Sequence, residues 1–415
     1  MEISNPWLWL ALVATVGLYH LELIATFLNL SALQPEPPGR LRAVINAEEH
    51  ERAMDYARVR AKSGIIESSV SLGLLLAFWL GGGFGWADAL VRGWQFAPLM
   101  SGLVLIGLLF LLRNLMSLPF DIYDTFVIER SFGFNNTTIA TFIMDRVKGL
   151  LLAALLGIPL LALLLWLFER FDNAALLGWL AVSLFSLLMS WLAPRLLLPL
   201  FYKFEPLQDE ALRERIVTLS RQLDFPVGDV SVVDGSRRST KANAFFTGFG
   251  RTKRIALFDT LLKNHSHDEI LAVLAHEIGH CKRRHVPKQM ALSLAVSALM
   301  FALLQYGLRD PRLCAAFGIQ TPTVAWGVIF FSIVYQPISL LLGLIGSHLS
   351  RKFEFEADAF ARQALGSAAP MVEALAKLSR DHLSNPTPHP FYVFLHYSHP
   401  PVLQRLAALE YVEAS

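Results

Sequence analysis

The residues best suited to chemistry are concentrated in residues 274–285, which read LAHEIGHCKRRH. His276 and His280 are four positions apart, so on an α-helix they stand about 40° apart and can hold one metal ion between them. Glu277 lies beside them, where it can take a proton from water. This HExxH pattern is typical of zinc proteases, with two imidazole ligands and a carboxylate base. The pattern is short, and the polar face of an ordinary amphipathic helix can carry the same residues.

His285 is the third histidine of this stretch. On a continuous helix it lies nine residues from His276, which places it about 180° around the helix axis. Metzincin proteases turn the chain with a glycine in HExxHxxGxxH, but here Arg283 and Val286 stand at the glycine and third-histidine positions. We therefore expect His285 to be a solvated or interfacial side chain and not a metal ligand.

A third ligand must come from farther along the chain, and the stretch FEFEADAF at 353–360 supplies carboxylates. Glu354 and Asp358 are four apart and share a helix face, whereas Glu356 is about 200° from Glu354. One carboxylate can bind zinc while another accepts the spare N–H of a ligand histidine. Two histidines, one carboxylate and an open fourth position form the catalytic type of zinc site. The same residues also fit a charged helix face.

The composition indicates a membrane protein. The chain of 415 residues is 54% hydrophobic and 17% charged, below the roughly 25% charged share of soluble domains. Its apolar residues fall in blocks of about twenty or more, the length that lets a helix cross a hydrocarbon core of about 30 Å. We predict a mainly α-helical multi-pass protein with seven spans, at 7–33, 65–90, 97–118, 149–168, 174–201, 287–308 and 322–346.

The positive charges predict an orientation in the membrane. Six cations lie between the first two predicted spans, namely Arg40, Arg42, Arg52, Arg58, Arg60 and Lys62. The next loop holds only Arg92. The positive-inside rule then places the N-terminus outside, and residues 202–286 and the C-terminal tail in the cytoplasm. The net charge of +2, without a basic stripe, gives no indication of a nucleic-acid partner.

His20 and Glu22 lie inside the first predicted span. Ionisable groups are costly in a membrane, so they face a polar interior or sit near a helix end from which they reach the surface. The sequence leaves both arrangements open.

Two regions are too polar to cross a membrane, and they divide the chain into four parts. These parts are 1–202 with five spans, 203–286, 287–346 with two spans, and 347–415. In the first polar region we predict a helix over 208–223 and a meander of three strands at 230–234, 243–249 and 254–259. Ser266 and Glu269 predict a capping box that begins the helix of the HExxH motif.

Five separated motifs resemble the zinc-dependent type I CAAX prenyl proteases, which are multi-span membrane endopeptidases. The motifs are FVIERSFGFN at 126–135, NAFFTGF at 243–249, HEIGH at 276–280, SRKFEFEADAF at 350–360 and HYSHPPVLQRL at 396–406. They occur in the family's order across nearly the whole chain, which is far more specific than HExxH alone. The resemblance implies seven helices around a chamber, closed by a gluzincin-like zinc domain with a small β-sheet.

The resemblance also implies roles for individual residues. Glu354 becomes the third ligand of a single Zn²⁺, and Asp358 supports a ligand histidine. His399 and Arg405 stabilise the oxyanion that develops during hydrolysis. Asn243 contacts the substrate backbone at a strand edge, to which an extended peptide adds as another strand. Judged without the family, Asn243 fits a turn, His399 a loop and Arg405 a surface charge.

The expected activity is hydrolysis of peptide bonds, by resemblance near a C-terminal prenylated cysteine. The expected partners are the lipid bilayer and a peptide or lipidated peptide substrate, and we expect a monomer. Two other functions fit the residues: a quality-control membrane protease, whose family has fewer spans, and a non-catalytic membrane scaffold, which would not need Glu277 as a base. Short loops and a composition rich in alanine, leucine and arginine favour a bacterial inner membrane.

Overall fold

The computed structural model describes residues 2–225, 227–247 and 254–411, and helices predominate among them. The helices are α1 Pro6–Ser31, α2 Ala47–Leu80, α3 Gly83–Gly93, α4 Pro98–Ser131, α5 Ile139–Arg170, α6 Ala174–Phe201, α7 Glu210–Gln222, α8 Asp259–Asn264, α9 His267–Lys282, α10 His285–Leu308, α11 Arg312–Ala315, α12 Val324–Val334, α13 Gln336–Leu365, α14 Ala369–Asp381, α15 Pro390–His396 and α16 Val402–Tyr411. The strands are β1 Phe204–Pro206, β2 Asp229–Val233, β3 Ala244–Thr247 and β4 Arg254–Phe258. The predicted helical fold with a small sheet is confirmed.

Six of the described helices are long and apolar enough to cross a membrane, namely α1, α2, α4, α5, α6 and α10. A seventh span results if α12 and α13 are taken together, since they pass the same test as a pair and are bent by 56° where they meet. The predicted order of the spans is confirmed, and their number is six or seven, against the seven predicted. The C-terminal part of α13 carries the FEFEADAF stretch.

The bounds of the second span differ from the prediction. The apolar run at 65–90 predicts one helix, but α2 ends at Leu80 and α3 follows after Gly82. Gly82 has a φ of 79°, a left-handed conformation that glycine adopts without steric cost. At its other end α2 extends back to a capping box at Asn46. Most of the cationic segment predicted as a loop is therefore helical.

The apolar core of the helix bundle lies at one end of the spans. It includes Leu8, Ala11, Trp79, Leu105, Leu165, Leu304, Trp326 and Phe330. Elsewhere, ionisable side chains pair between helices: Arg60 of α2 lies 2.5 Å from Asp124 of α4, and Glu22 of α1 lies 3.1 Å from His396 of α15. Such groups inside spanning helices usually face a polar interior. Their pairing supports the predicted chamber.

The four strands form one sheet in the order β1-β2-β4-β3. β2 and β4 are parallel, with Val230 opposite Ile255, whereas β1 and β3 pair antiparallel with β2 and β4. The predicted meander is therefore wrong, because the chain passes β3 to the outer side of β4 and makes the sheet mixed. Among the described residues β3 is an edge strand. Residues 248–249 of the predicted strand lie outside the described residues.

The segment FVIERSFGFN at 126–135 forms the end of α4 and the start of the loop that follows it, and it joins the helices to the sheet. Asn135 forms a β-bridge with Ser239. The carbonyl of Phe134 accepts the N–H of Thr240 at 3.1 Å. These backbone contacts hold the stretch of chain that leads into β3.

A partly exposed ion pair strengthens the same junction. Lys241 Nζ lies 3.0 Å from Glu129 Oε2, and the Tyr56 hydroxyl donates to the other oxygen of Glu129 at 2.5 Å. The Lys241 ammonium also lies 4.3 Å from the centre of the Phe134 ring, within the range of a cation–π contact. The start of β3 is thereby tied to α2 and α4.

Helices α9 and α13 pack closely, and this contact positions the HExxH and FEFEADAF motifs. A Cβ added to Gly279 on α9 would lie 3.1 Å from the Cβ of Phe360 and 3.2 Å from the Cα of Ala357, both on α13. Ala357 is itself fully buried. The distance between packed helices depends on the side chains at their contact, so these small residues let the two backbones approach.

We predict that Gly279→Val destabilises the protein by about 1–3 kcal/mol, because the added side chain must push α13 away. Gly343→Val is the matched control: it makes the same change on α13, where an added Cβ meets nothing within 4 Å. Thermal unfolding of both variants in detergent checks this. Equal Tm values for the two variants would show that the close approach at Gly279 is not required.

Candidate active site

Helix α9 begins where predicted, after Ser266, whose hydroxyl accepts the N–H of Glu269 at 3.3 Å. The predicted capping box is only half formed, because the Glu269 carboxylate turns away from Ser266. It lies 2.6 Å from Lys377 Nζ and 2.9 Å from His265 Nδ1. A buried carboxylate requires such partners. The ion pair with Lys377 joins the start of α9 to α14.

His276, His280 and Glu354 form a compact group where α9 meets α13. The Nε2 atoms of the two histidines are 3.1 Å apart. Glu354 Oε2 lies 3.5 Å from His276 Nε2, and its Oε1 lies 3.4 Å from His280 Nε2. Within the described parts of the chain, this is the one group of three such side chains close enough to share a metal ion. The structure thus brings together the three residues predicted as ligands.

The spacing and chemistry of this group fit one zinc ion. Ligand atoms at about 2.0–2.1 Å from a tetrahedral zinc stand about 3.4 Å apart, close to the separations found here. Glu354 Oε2 is buried and makes no hydrogen bond within the described residues. The Arg405 guanidinium lies 3.2 Å from this oxygen without forming a hydrogen bond to it, and a bound metal ion would supply the partner that it lacks. Imidazole nitrogen and carboxylate oxygen are ligands that zinc prefers.

Asp358 and Arg405 lie directly behind the three predicted ligands. Asp358 Oδ1 is 2.8 Å from His276 Nδ1, so it can accept the ring N–H that does not face the metal position. Arg405 donates to both oxygens of Asp358, at 2.6 and 2.8 Å. Its Nη1 lies 3.2 Å from Glu354 Oε2. The Arg405 guanidinium is therefore directed to two carboxylates of the site.

Glu277 and His399 lie on the more open side of the group. Burial raises the pKa of the Glu277 carboxyl above its usual range, against the opposing charges of His276 and His280. A raised pKa suits a carboxylate that takes up and returns a proton near neutral pH. His399 Nε2 lies 3.3 Å from Glu354 Oε1, and its side chain is 64% exposed. Its ring is therefore accessible to a substrate beside the predicted ligands.

His285 occupies a position that the helical pattern does not predict. Helix α9 ends at Lys282, Arg284 has a φ of 57°, and α10 begins at His285. His285 remains outside the three-residue group, as predicted. Of the two predicted arrangements, solvated or interfacial, the solvated one is wrong, because the chain turns back and leaves His285 only 1% exposed, with its Nδ1 3.0 Å from His280 Nδ1. No glycine or asparagine stands at this turn, but Pro287 cannot follow a continuous helix and is the local signal of a break.

Asn243 immediately precedes the edge strand β3, and its side chain is exposed. Its Oδ1 accepts the N–H of Ala244 at 2.9 Å, and its backbone carbonyl accepts the N–H of Phe258 at 3.0 Å. Strand β3 also packs against α9. An exposed amide therefore stands at the start of an edge strand that runs beside the HExxH helix.

Two family models match the chain one after the other. The model described as CAAX prenyl protease N-terminal, five membrane helices, matches residues 26–203. The model of peptidase family M48 matches residues 206–413. The first covers most of the helices before the sheet, and the second covers the sheet, the HExxH helix and the FEFEADAF stretch.

Similar proteins extend over the same full length. A CAAX prenyl protease 1 homolog from Oryza sativa is 36% identical, with 98% of each chain covered. CAAX prenyl protease 1 from Saccharomyces cerevisiae is 33% identical, with 98% of this chain and 96% of the relative covered. The crystal structure of Ste24p from S. mikatae superposes with a TM-score of 0.92 at 31% identity, covering 98% of this chain and 99% of that one. The chain belongs to the CAAX prenyl protease family of M48 peptidases, which are zinc-dependent membrane metalloendopeptidases.

Proposed function

We propose that this membrane metalloendopeptidase holds one Zn²⁺ through His276, His280 and Glu354, and cleaves peptide bonds near a C-terminal prenylated cysteine. The observation that carries the metal assignment is the group of three donors spaced for zinc, in which the buried Glu354 Oε2 accepts no hydrogen bond from the described residues. The substrate class comes from the relatives, which are named CAAX prenyl proteases.

Glu277 is proposed as the general base. When bound, zinc supplies a Lewis acid that lowers the pKa of water and polarises a carbonyl. Glu277 takes the proton of the attacking water and returns it to the leaving amine. Burial raises the pKa of Glu277, which makes its carboxylate a stronger base for the first of these transfers.

We assign the oxyanion contact to His399, because its exposed ring lies next to Glu354 and can donate a hydrogen bond to a carbonyl oxygen bound there. The oxyanion role of Arg405 remains a prediction. Its three nitrogen atoms lie against Asp358 and Glu354, which favours a positioning role. In that role Arg405 neutralises the buried carboxylates and fixes the orientation of Asp358 behind His276.

Asn243 is proposed to bind the substrate backbone. A peptide that adds to the outer edge of β3 lies beside α9. Its backbone then approaches the proposed metal position. The exposed amide of Asn243 carries two N–H groups on Nδ2 that can donate to a peptide carbonyl, while its Oδ1 accepts from Ala244.

Two observations favour this proposal over the two alternative functions. A scaffold has no use for an acidic side chain with a raised pKa beside the metal ligands, so Glu277 favours an enzyme. The six or seven spans exceed those expected of the quality-control proteases.

We predict that Glu277→Gln lowers kcat by about 10²–10⁴-fold, the usual contribution of a general base, while zinc stays bound. Glu354→Ala should lose most of its zinc, because it removes one of three ligands. Cleavage of a farnesylated test peptide and zinc content by atomic emission after dialysis measure the two effects.

The two variants serve as controls for each other, since they separate chemistry from metal binding at neighbouring carboxylates. Cleavage by Glu277→Gln at the normal rate would exclude Glu277 as the base. Full zinc retention by Glu354→Ala would exclude Glu354 as a ligand.

We predict that Asn243→Ala lowers kcat/KM by about 2–10-fold, the loss expected for one hydrogen bond of about 0.5–1.5 kcal/mol. The loss should appear mainly in KM, because the contact is to the substrate backbone and not to the reacting atoms. Asn264→Ala is the matched control, since Asn264 is an exposed asparagine on α8 whose amide bonds Asp381. Identical kcat/KM values for both variants would rule out a substrate contact at Asn243.

We also propose that the N-terminus faces outward and that the sheet, α9 and the C-terminus lie in the cytoplasm of a bacterium. Alkaline phosphatase fused after Ser415 should then be inactive, and green fluorescent protein fused at the same point should fluoresce. An epitope before Met1 should be accessible in intact spheroplasts. Active phosphatase at the C-terminus would contradict this orientation.

A further inference from the structure

His285, placed by the turn at Arg284, and Glu356 lie in line behind His280. His285 Nδ1 lies 3.0 Å from His280 Nδ1, and His285 Nε2 lies 3.1 Å from Glu356 Oε2. The His285 ring also stacks on Phe353, with ring centres 4.0 Å apart and planes within 4°. These contacts fix the ring in position and direction. His285, Glu356 and Phe353 lie outside the group of three proposed ligands.

The hydrogen positions follow from the proposed metal site. If His280 binds zinc through Nε2, its neutral ring carries the hydrogen on Nδ1 and must donate it. His285 Nδ1 is the atom at hydrogen-bond distance, so it accepts and carries no hydrogen. The hydrogen of His285 is then on Nε2, which donates to Glu356. Every donor in the series therefore meets an acceptor.

The two proposed histidine ligands are thus supported in different ways by one helix. The Nδ1 of His276 donates directly to Asp358 of α13. The Nδ1 of His280 instead reaches Glu356 of α13 through His285. A partner that accepts the second N–H of a ligand histidine fixes its tautomer and orientation and raises its basicity.

We propose that His285, held by Glu356, is a positioning residue that orients His280 for metal binding. This inference rests on the proposed function, because it takes His280 as a ligand. The hydrogen-bonded series runs from Glu356 through His285 to His280. Losing such an outer partner typically weakens metal affinity by about 10–100-fold.

The test compares zinc affinity, measured by competition with a chelator, in the full-length protein in detergent. His285→Phe keeps a ring that can stack on Phe353 but cannot accept the hydrogen of His280. We expect it to bind zinc about 10–100-fold more weakly. His285→Asn places an amide oxygen at the position of Nδ1, so it should recover much of the affinity. Unchanged affinity in His285→Phe would overturn the proposal.

A second pair of variants avoids a change in the buried ring. Glu356→Gln keeps an oxygen acceptor for His285, whereas Glu356→Leu removes it. Glu356 is partly exposed, so both variants should fold even if His285→Phe does not. We expect Glu356→Leu to bind zinc more weakly than Glu356→Gln. Equal affinities for the two would contradict a series that includes Glu356.

Two controls separate this proposal from the proposed function. His267→Phe changes a half-exposed histidine at the start of α9 that pairs with Asp209, so its zinc affinity should stay normal. Glu354→Ala in the same assay tests the ligand set itself. If Glu354→Ala loses zinc while His285→Phe does not, the ligand assignment stands and the positioning role of His285 falls. The visible spectrum of the cobalt-substituted protein should change in His285→Phe and not in His267→Phe, because only the former alters the ligand geometry.

Discussion

The packing of α9 against α13 is the contact on which the proposed site depends. Two of its three donor atoms come from one helix and the third from the other, so the distance between helices determines whether the donors meet. Gly279 and Ala357 allow a backbone approach that larger side chains would block. Sites of this kind tolerate displacements of only about 0.5 Å. The small residues at the crossing are therefore as necessary to the proposed chemistry as the ligands.

Charge balance explains why Arg405 and a metal belong to the same site. Glu354 and Asp358 are buried and Glu277 is partly buried, and Arg405 offers one permanent positive charge among these three carboxylates. Buried charges require partners, because desolvation otherwise exceeds the attraction they gain. A divalent cation and one guanidinium together balance the three carboxylates. The contacts of Arg405 with Asp358 and Glu354 also explain how a residue in the C-terminal segment can affect the metal position.

The sequence predicted those features that depend on interactions between residues close together in the chain. The shared face of His276 and His280 follows from helix geometry alone, and the apolar blocks predicted the spans in order. Glu354 lies more than seventy positions downstream, and helix geometry left its choice over Asp358 open, so that assignment came from the family resemblance. The mixed sheet was missed because strand patterns contain no information on which strands pair.

Two errors have the same physical origin. The turn at Arg284 uses a left-handed residue that is not a glycine, and the surrounding structure holds it there. Pro287 signals a break in the helix, but no local signal indicates that His285 turns inward. The Glu269 side chain leaves its expected cap because Lys377, from a distant helix, is a stronger partner. In both cases tertiary contacts override a local preference.

The most direct test of a catalytic zinc at this site is X-ray diffraction from crystals of the full-length protein. The data are collected on both sides of the zinc absorption edge. A zinc ion held as proposed should give one anomalous peak between α9 and α13, about 2.0–2.2 Å from His276 Nε2, His280 Nε2 and a carboxylate oxygen of Glu354. The fourth coordination position of the zinc ion should not be filled by a protein atom. A peak elsewhere, or a fourth protein ligand that leaves no position for water, would contradict a catalytic zinc at this site.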